Sequence, residues 1–474
     1  MSSDLLQNIY EKLPNVVQTA VLNLYAYRVH KERYGKEFFK VYNNLLRTQY
    51  YSKEEINSYQ DTELKKIIKH AYDTTSYYRE LFDANSLKPA DIQSRYDLYK
   101  IPVLTKDLIR ENFDGLVSSS FKKKELVHGH TSGTTGTPLD VLWDQNTCIY
   151  TNAVDWRQKN WAGINYGDKL ALILGRVVVP PGKKTHPFWK MDYIHNQLWM
   201  SAFHLSSENV KHYLKKLRQY KPVAIEGYPS TVYLLAKFLN ESGNTFPVKS
   251  VLTSSETLYP LQKEAIEKAF ECKVFDFYGM AERVLFSTEC DEHTDHHLNF
   301  EYGLTEIVDE SNNPLGEDKK GFVVSTSLQN YGMPLIRYKT SDISAIKSQK
   351  CACGRHMPML EKITTKAEDI IVCPDGRLIS PSILTHPFKP IDNIEESQIV
   401  QEDINNITIK IVKKAAFKNE DAEKLLDGLK HRIGSDIKIN IEFVSQIERT
   451  ASGKFRWVIS KVVKDIYGFN NYTY

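Results

Sequence analysis

Residues 130–139 read HTSGTTGTPL. Within them Thr131, Ser132, Gly133, Thr134, Thr135 and Gly136 form a run of glycine and hydroxyl side chains only. Such a run cannot build a core. Glycine reaches backbone conformations closed to other residues, so successive amide N–H groups can turn inward and make a concavity for an anion. The hydroxyls add neutral donors around it. The stretch reads as a phosphate cradle, with a flexible surface turn as the plainer alternative. It lacks the Gly-Lys-Ser/Thr ending of a Walker A loop.

A second constellation joins thiols and imidazoles. TECDEHTDHHLNFEYG holds Cys290, His293, His296 and His297, and KCACGRHMP holds Cys351, Cys353 and His356. Two short knuckles of this kind can close a tetrahedral zinc site. The Cys-x-Cys spacing is tighter than that of a standard finger, and free thiols are the alternative. The chain has 6 cysteines. In a reducing compartment they are not expected to form disulfides.

The elements that must position these residues follow from the rest of the chain. Its 474 residues suit two or more domains. With 62 basic and 59 acidic residues the net charge is +3, which gives no general reason to expect nucleic acid as a partner. No apolar run is long enough to suggest a transmembrane helix. The opening MSSDLLQNIYEKLP has no signal-peptide pattern, so a cytoplasmic protein is expected. Residues 1–80 read as mostly helical. Within them PNVVQTAVLNLYAYRVH is amphipathic; it could make peripheral contact with a membrane surface, but packing on the protein body is the favoured expectation.

From about 125 to 345, strand-like stretches (KLALILG, AIEGY, KSVLTSS, KVFDFYG) alternate with helix-like ones (SSENVKHYLKKLRQY, PSTVYLLAKFLNES, LYPLQKEAIEKAF). The alternation predicts an α/β fold with much parallel sheet. LTEIVDESNNPLGEDKKGFVVSTSL predicts a β-hairpin. Beyond a turn-rich break at 364–381, NITIKIV, NEDAEKLLDGLKHRI and KINIEFV predict a small α/β unit. The expected division is a helical lead at 1–90, a large multi-layer α/β domain at 91–366 and a small mobile C-terminal α/β domain at 367–474.

Five segments together carry a resemblance. They are TSGTTGTP, FYGMAE (277–282), IRYKTSD (336–342), EKITTKAEDIIV and RTASGKFR (449–456), in that order. The chain resembles the adenylate-forming superfamily over about residues 95–460. In detail it is most similar to phenylacetate–CoA ligases and the CapK-type proteins of capsular polysaccharide clusters, to which CACGRHMP and EGYPS point.

The resemblance implies attack of a carboxylate on the α-phosphate of ATP, giving an acyl-adenylate and pyrophosphate. The acyl group then passes to a thiol, such as coenzyme A, or to an amine. It implies that the 131–136 loop holds the β- and γ-phosphates, with Thr135 among the catalytic groups. Tyr278 would stack on adenine, Gly279 would admit close backbone approach, and Ser255 and Glu256 would lie near the adenine. Asp342 would accept the ribose hydroxyls, with Lys366 beside it where many relatives have arginine. Glu282 would bind magnesium, which favours a carboxylate with phosphate oxygens. Lys454 would stabilise transition-state charge, and Ala367–Asp369 would be a hinge between half-reactions. Arg337 and Tyr338 are read as structural neighbours. Ser341 stands where the motif usually has glycine, and Leu139 where many members have lysine.

The carboxylate pocket is expected near Tyr228, Pro229, Ser230 and Tyr233, with His130 adjoining the loop. Arg157, Arg176, Lys183 and Lys184 could meet an anionic substrate, or could simply be solvated. The CapK-type resemblance favours a structural zinc on Cys290, His297, Cys351 and Cys353, with His293 and His296 in reserve. The function expected is an ATP-dependent carboxylate-activating ligase in surface-polysaccharide synthesis. The alternatives are an aryl–CoA ligase in catabolism and a non-catalytic nucleotide-binding scaffold.

Overall fold

The computed structural model describes residues 13–130, 139–180, 183–206, 208–363, 370–448 except 380, 385, 389, 392 and 435, and 457–462. The loop residues Thr131, Ser132, Gly133, Thr134, Thr135 and Gly136, together with Lys366, the Ala367–Asp369 segment and Lys454, lie outside the described residues.

The N-terminal region is helical, as its periodicity predicts: Asn15–Arg33, Lys36–Thr48, Lys53–Thr74 and Ser76–Ala84. Ser52 and Glu55 form a reciprocal capping box at the start of the third of these. The first helix packs on the protein body, as expected, but not through its apolar side. It touches the body through Gln18, Asn23 and Ala26, and Asn23 donates to the Met191 carbonyl at 2.8 Å. Its apolar residues face outward, with Val16 80% and Leu24 72% exposed. The side turned inward is the polar, small one, so apolar burial does not dock this helix.

The centre is a ten-stranded mixed sheet. Five strands run parallel, in the order Gln197–Met200, Leu170–Ile173, Ala224–Gly227, Ser250–Ser254 and Lys273–Gly279. Leu170–Ile173 and Ser250–Ser254 are buried at every position. That is why neither alternates between polar and apolar residues, although Ser250, Thr253 and Ser254 are buried hydroxyls. Trp189–Asp192 closes one edge antiparallel. The other edge continues antiparallel through Phe286–Glu289, His296–Leu298, Met359–Leu360 and Ile346–Lys347.

The helices Pro229–Glu241 and Pro260–Phe270 each begin on proline, whose missing N–H costs nothing at a first helical position. The expected hairpin is present as Gly303–Val308 paired with Gly321–Ser327, and Tyr338–Ser344 adds a third strand.

The C-terminal unit is a four-stranded sheet in the order Lys438–Phe443, Asn406–Lys413, Ile394–Asp403, Val458–Ser460, with the helix Asn419–Ile433. The strand Ile394–Asp403 is additional to the sequence reading. Its core packs in one cluster with the large sheet's flank, where Ile383 and Phe388 join Phe203 and Leu235. Arg377 ties the join: its guanidinium donates to the carbonyls of Phe203 at 3.1 Å, Arg432 at 2.8 Å and Ile433 at 2.6 Å.

Candidate active site

Parallel strands release their chains at one edge, where ligands bind in open α/β sheets. Tyr228, Ser255 and Gly279 all lie at that edge. Ser255 has φ +68°, a left-handed conformation uncommon for a residue with a side chain.

The flanks of the glycine-hydroxyl loop are placed. Val127–His130 pairs antiparallel with Asp140–Trp143, and His130 stands opposite Asp140, so the two ends of the loop converge. Gly129 must be glycine here, because a Cβ would lie 1.8 Å from the Trp143 ring. The Arg283 guanidinium stacks on that ring at 3.8 Å. Arg283 directly follows Glu282. The hairpin carrying the loop is therefore pinned to the segment carrying the expected magnesium ligand.

Glu282 is buried, and its Oε1 accepts from the Tyr338 hydroxyl at 2.5 Å. Asp342 Oδ2 accepts from the Tyr278 hydroxyl at 2.6 Å. Burial, then the adjacent carboxylate, push both phenols well above their usual range, so both remain donors. This corrects one reading. Arg337 is a structural neighbour, bound to Glu306 and to the Tyr99 and Ile101 carbonyls. Tyr338 instead touches the site itself. At Gly279 a side chain would meet protein atoms no closer than 3.8 Å, so packing does not demand the glycine.

Glu256 receives the Ser230 N–H and hydroxyl, each at 3.0 Å. It thus caps the helix Pro229–Glu241 from a neighbouring strand end. Ser230 is fully buried. The end of the Tyr228 ring lies over Gly175, where an added Cβ would meet its hydroxyl at 2.8 Å. Burial pushes the Tyr228 phenol up to about 12. Pro229 opens the helix and Tyr233 packs at the edge of the core.

The four basic residues do not act together. Arg157 is wholly buried and makes a two-pronged pair with Glu301 at 2.8 and 2.9 Å, so it cannot meet substrate. Arg176 stacks on Trp199 at 4.9 Å, and Lys183 donates to the Pro187 carbonyl. Lys184 is exposed.

The thiols and imidazoles converge at the antiparallel edge. One ligand atom from each of Cys290, His297, Cys351 and Cys353 lies within 4.8 Å of all the others. Cys290 Sγ is 3.5 Å from Cys351 Sγ, and Cys353 Sγ is 3.4 Å from His297 Nε2. Ligands about 2.0–2.3 Å from a tetrahedral zinc are separated by similar spans, so the donor set fits that ion. The reserves point elsewhere. His296 Nε2 lies 3.6 Å from Asp276, and His293 Nδ1 lies 3.7 Å from Glu289.

The similarity to known proteins agrees with these motifs. CapK from Staphylococcus aureus is 27% identical over 97% of this chain and 100% of its own length. The phenylacetate–coenzyme A ligase of Thermus thermophilus is 23% identical over 86% of this chain and 97% of its own. The CapK C-terminal domain family matches residues 371–461. Over nearly its whole length the chain is similar to CapK and the phenylacetate–CoA ligases, the branch of the adenylate-forming superfamily that its motifs resemble. Its fold matches that of 2-hydroxyisobutyryl-CoA ligase in complex with 2-HIB-AMP and CoA in the thioesterification state. The TM-score is 0.58 at 20% identity, covering 88% of this chain and 92% of that one. Among the described residues no helix is long and apolar enough to cross a membrane.

Proposed function

We propose that this chain joins a carboxylate to the α-phosphate of ATP, releases pyrophosphate, and passes the acyl group from the adenylate to a thiol, coenzyme A. The observation that carries the reading is the meeting of three motif segments at one sheet edge. Glu282 and Asp342 face each other through their tyrosines, and Arg283 fixes the loop hairpin beside them. Little covalent work falls on the protein in such a reaction, so positioning and charge stabilisation carry the rate.

In this reading the 131–136 loop holds the β- and γ-phosphates, Glu282 the magnesium ion, and Asp342 and Lys366 the ribose. Lys454 spans the carboxylate and the α-phosphate. The boundary near 366 separates the unit that binds nucleotide from the small unit that brings this lysine in. Tyr228, Ser230 and the segment beside the loop line the carboxylate pocket. The similarity to CapK favours an acid used in surface-polysaccharide synthesis, and the ligases in the same branch favour a thiol acceptor. Mass spectrometry of adenylates formed from a panel of carboxylic acids that includes uronic sugars tests the reading. Carboxylate-dependent pyrophosphate release without any adenylate would defeat it. An acceptor screen of coenzyme A against amines then separates thioester from amide formation.

Cys290, His297, Cys351 and Cys353 hold a structural zinc in this proposal. Four protein ligands leave no open position for water, so the ion supplies rigidity and no chemistry. Metal analysis of protein purified without chelator should give about one zinc per chain; its absence would remove the centre.

A further inference from the structure

The tyrosines of the two nucleotide motifs are crossed. Tyr278 lies in the segment that carries Glu282, yet its hydroxyl binds Asp342. Tyr338 lies in the segment that carries Asp342, yet its hydroxyl binds Glu282. Each bond takes one carboxylate oxygen: Glu282 Oε1 and Asp342 Oδ2. Among the described residues the other oxygen of each carries no hydrogen bond. Among the described residues neither carboxylate forms an ion pair with lysine or arginine. Glu282 is buried and Asp342 half-buried, and a carboxylate served by one neutral donor keeps most of its charge available to a cation or to a hydroxyl donor.

The two bonds constrain different motions. The Tyr338 ring is wholly buried, in the cluster formed by Leu104, Ile336 and Val284. Its backbone is also bridged to Leu104. It is thus a fixed post against which the Glu282 carboxylate is set. Tyr278 ends the last parallel strand, and the Asp342 N–H is itself held by Thr340 Oγ1 at 3.1 Å. Its hydroxyl fixes the one part of Asp342 still free to turn, the carboxylate plane.

We infer that Tyr338 and Tyr278 are positioning residues acting across the two motifs: Tyr338 orients Glu282 for the cation of Mg·ATP, and Tyr278 orients Asp342 for the ribose. This rests on the reading of the edge as an ATP site, and it assigns each tyrosine to the function of the other's segment.

Tyr338→Phe and Tyr278→Phe keep both rings and remove only the hydroxyls. Calorimetric binding of ATP with and without Mg2+, of AMP, and of 2′-deoxy-ATP with Mg2+ separates the two roles. In Tyr338→Phe the gain in ATP affinity from Mg2+ should shrink about tenfold, the loss of one bond to a charged group, while AMP affinity stays within about twofold. In Tyr278→Phe the preference for ATP over 2′-deoxy-ATP should shrink about tenfold, with the Mg2+ gain kept. Parallel losses for every nucleotide, or no loss in either variant, would overturn the cross-assignment while leaving the ATP site standing. If Tyr338→Phe did not fold, an unchanged ATP to 2′-deoxy-ATP preference in Tyr278→Phe would overturn the proposal by itself. Wild-type protein that bound none of these nucleotides would sink the parent reading, a result distinct from the others.

Discussion

The two sides of the large sheet solve different problems. On its antiparallel edge, Cys290, His297, Cys351 and Cys353 bring their ligand atoms within 4.8 Å of one another, with no other element needed. Beside the carboxyl ends of the parallel strands, Tyr278 and Glu282 from one segment and Tyr338 and Asp342 from another are set against each other by side-chain hydrogen bonds. The first arrangement is closed: every donor points at one spot. The second is open: among the described residues one oxygen of each carboxylate carries no hydrogen bond, and in the proposed reading the loop and the small unit complete it. A closed site rigidifies the fold around it, whereas an open one must be oriented by its neighbours because its ligand comes and goes.

The largest expected effect falls on the closed site. If that site holds the proposed zinc, removing it with a strong chelator, or replacing Cys353 with serine, should cost several kcal/mol of stability, because metal binding there would be folding free energy. The melting temperature should drop sharply, and added zinc should restore the chelated wild type but not the variant. Nucleotide affinity measured below the lowered melting temperature should change little. Equal melting curves with and without chelator would abolish the contrast between the two edges.

Arg157 and Glu301 supply a third term in the comparison, a buried charge pair that is already satisfied. Beyond the two bonds to Glu301, the guanidinium donates to the Leu45 carbonyl at 3.0 Å, which joins an N-terminal helix to the large domain. Arg157→Ala leaves Glu301 buried with Thr48 as its remaining side-chain donor. The expected loss is about 3–5 kcal/mol, read from denaturant unfolding. An effect on ATP or carboxylate affinity beyond that of unfolding would return Arg157 to the substrate site.

Lys454→Ala probes what the open site still awaits. Adenylate formation should fall about 10²–10³-fold, the usual cost of one donor aimed at developing charge. ATP affinity should hold, because in the proposed reading the loop and Glu282 supply it without the small unit. A matching loss in ATP binding would mean that the lysine acts in the ground state.

These regions differ in the same way in how far the sequence foretells them. Parallel strands buried on both faces announce themselves as short apolar runs, and Pro229 and Pro260 mark helix starts. The thiol and imidazole cluster is readable from its two knuckles, although His297 lies within the strand His296–Leu298 and does not precede one. Long-range pairings were not readable. Arg157 looks solvated within DWRQKNW, and its partner Glu301 is far along the chain. Tyr338 looked structural because nothing local shows that its ring reaches Glu282. Ile394–Asp403 escaped because its buried face carries Ser397 and Gln401, satisfied by Trp457, Ser460 and the Val372 backbone. A polar residue inside a sheet shows its partner only once the fold is known.

The smallest effect concerns the seam between nucleotide and substrate. Glu256 receives both the N–H and the hydroxyl of Ser230, so the start of the helix Pro229–Glu241 is tied to the segment after Ser250–Ser254. Ser230→Ala removes only the hydroxyl bond and leaves the backbone bond in place. The cost should be about 0.5–1.5 kcal/mol, the net worth of one hydrogen bond. If this tie shapes the carboxylate pocket, KM for the acid should rise about threefold to tenfold for that cost, and KM for ATP should stay level. A rise in KM for ATP alone would show that the tie serves the adenine side, where Glu256 is expected, and not the carboxylate pocket.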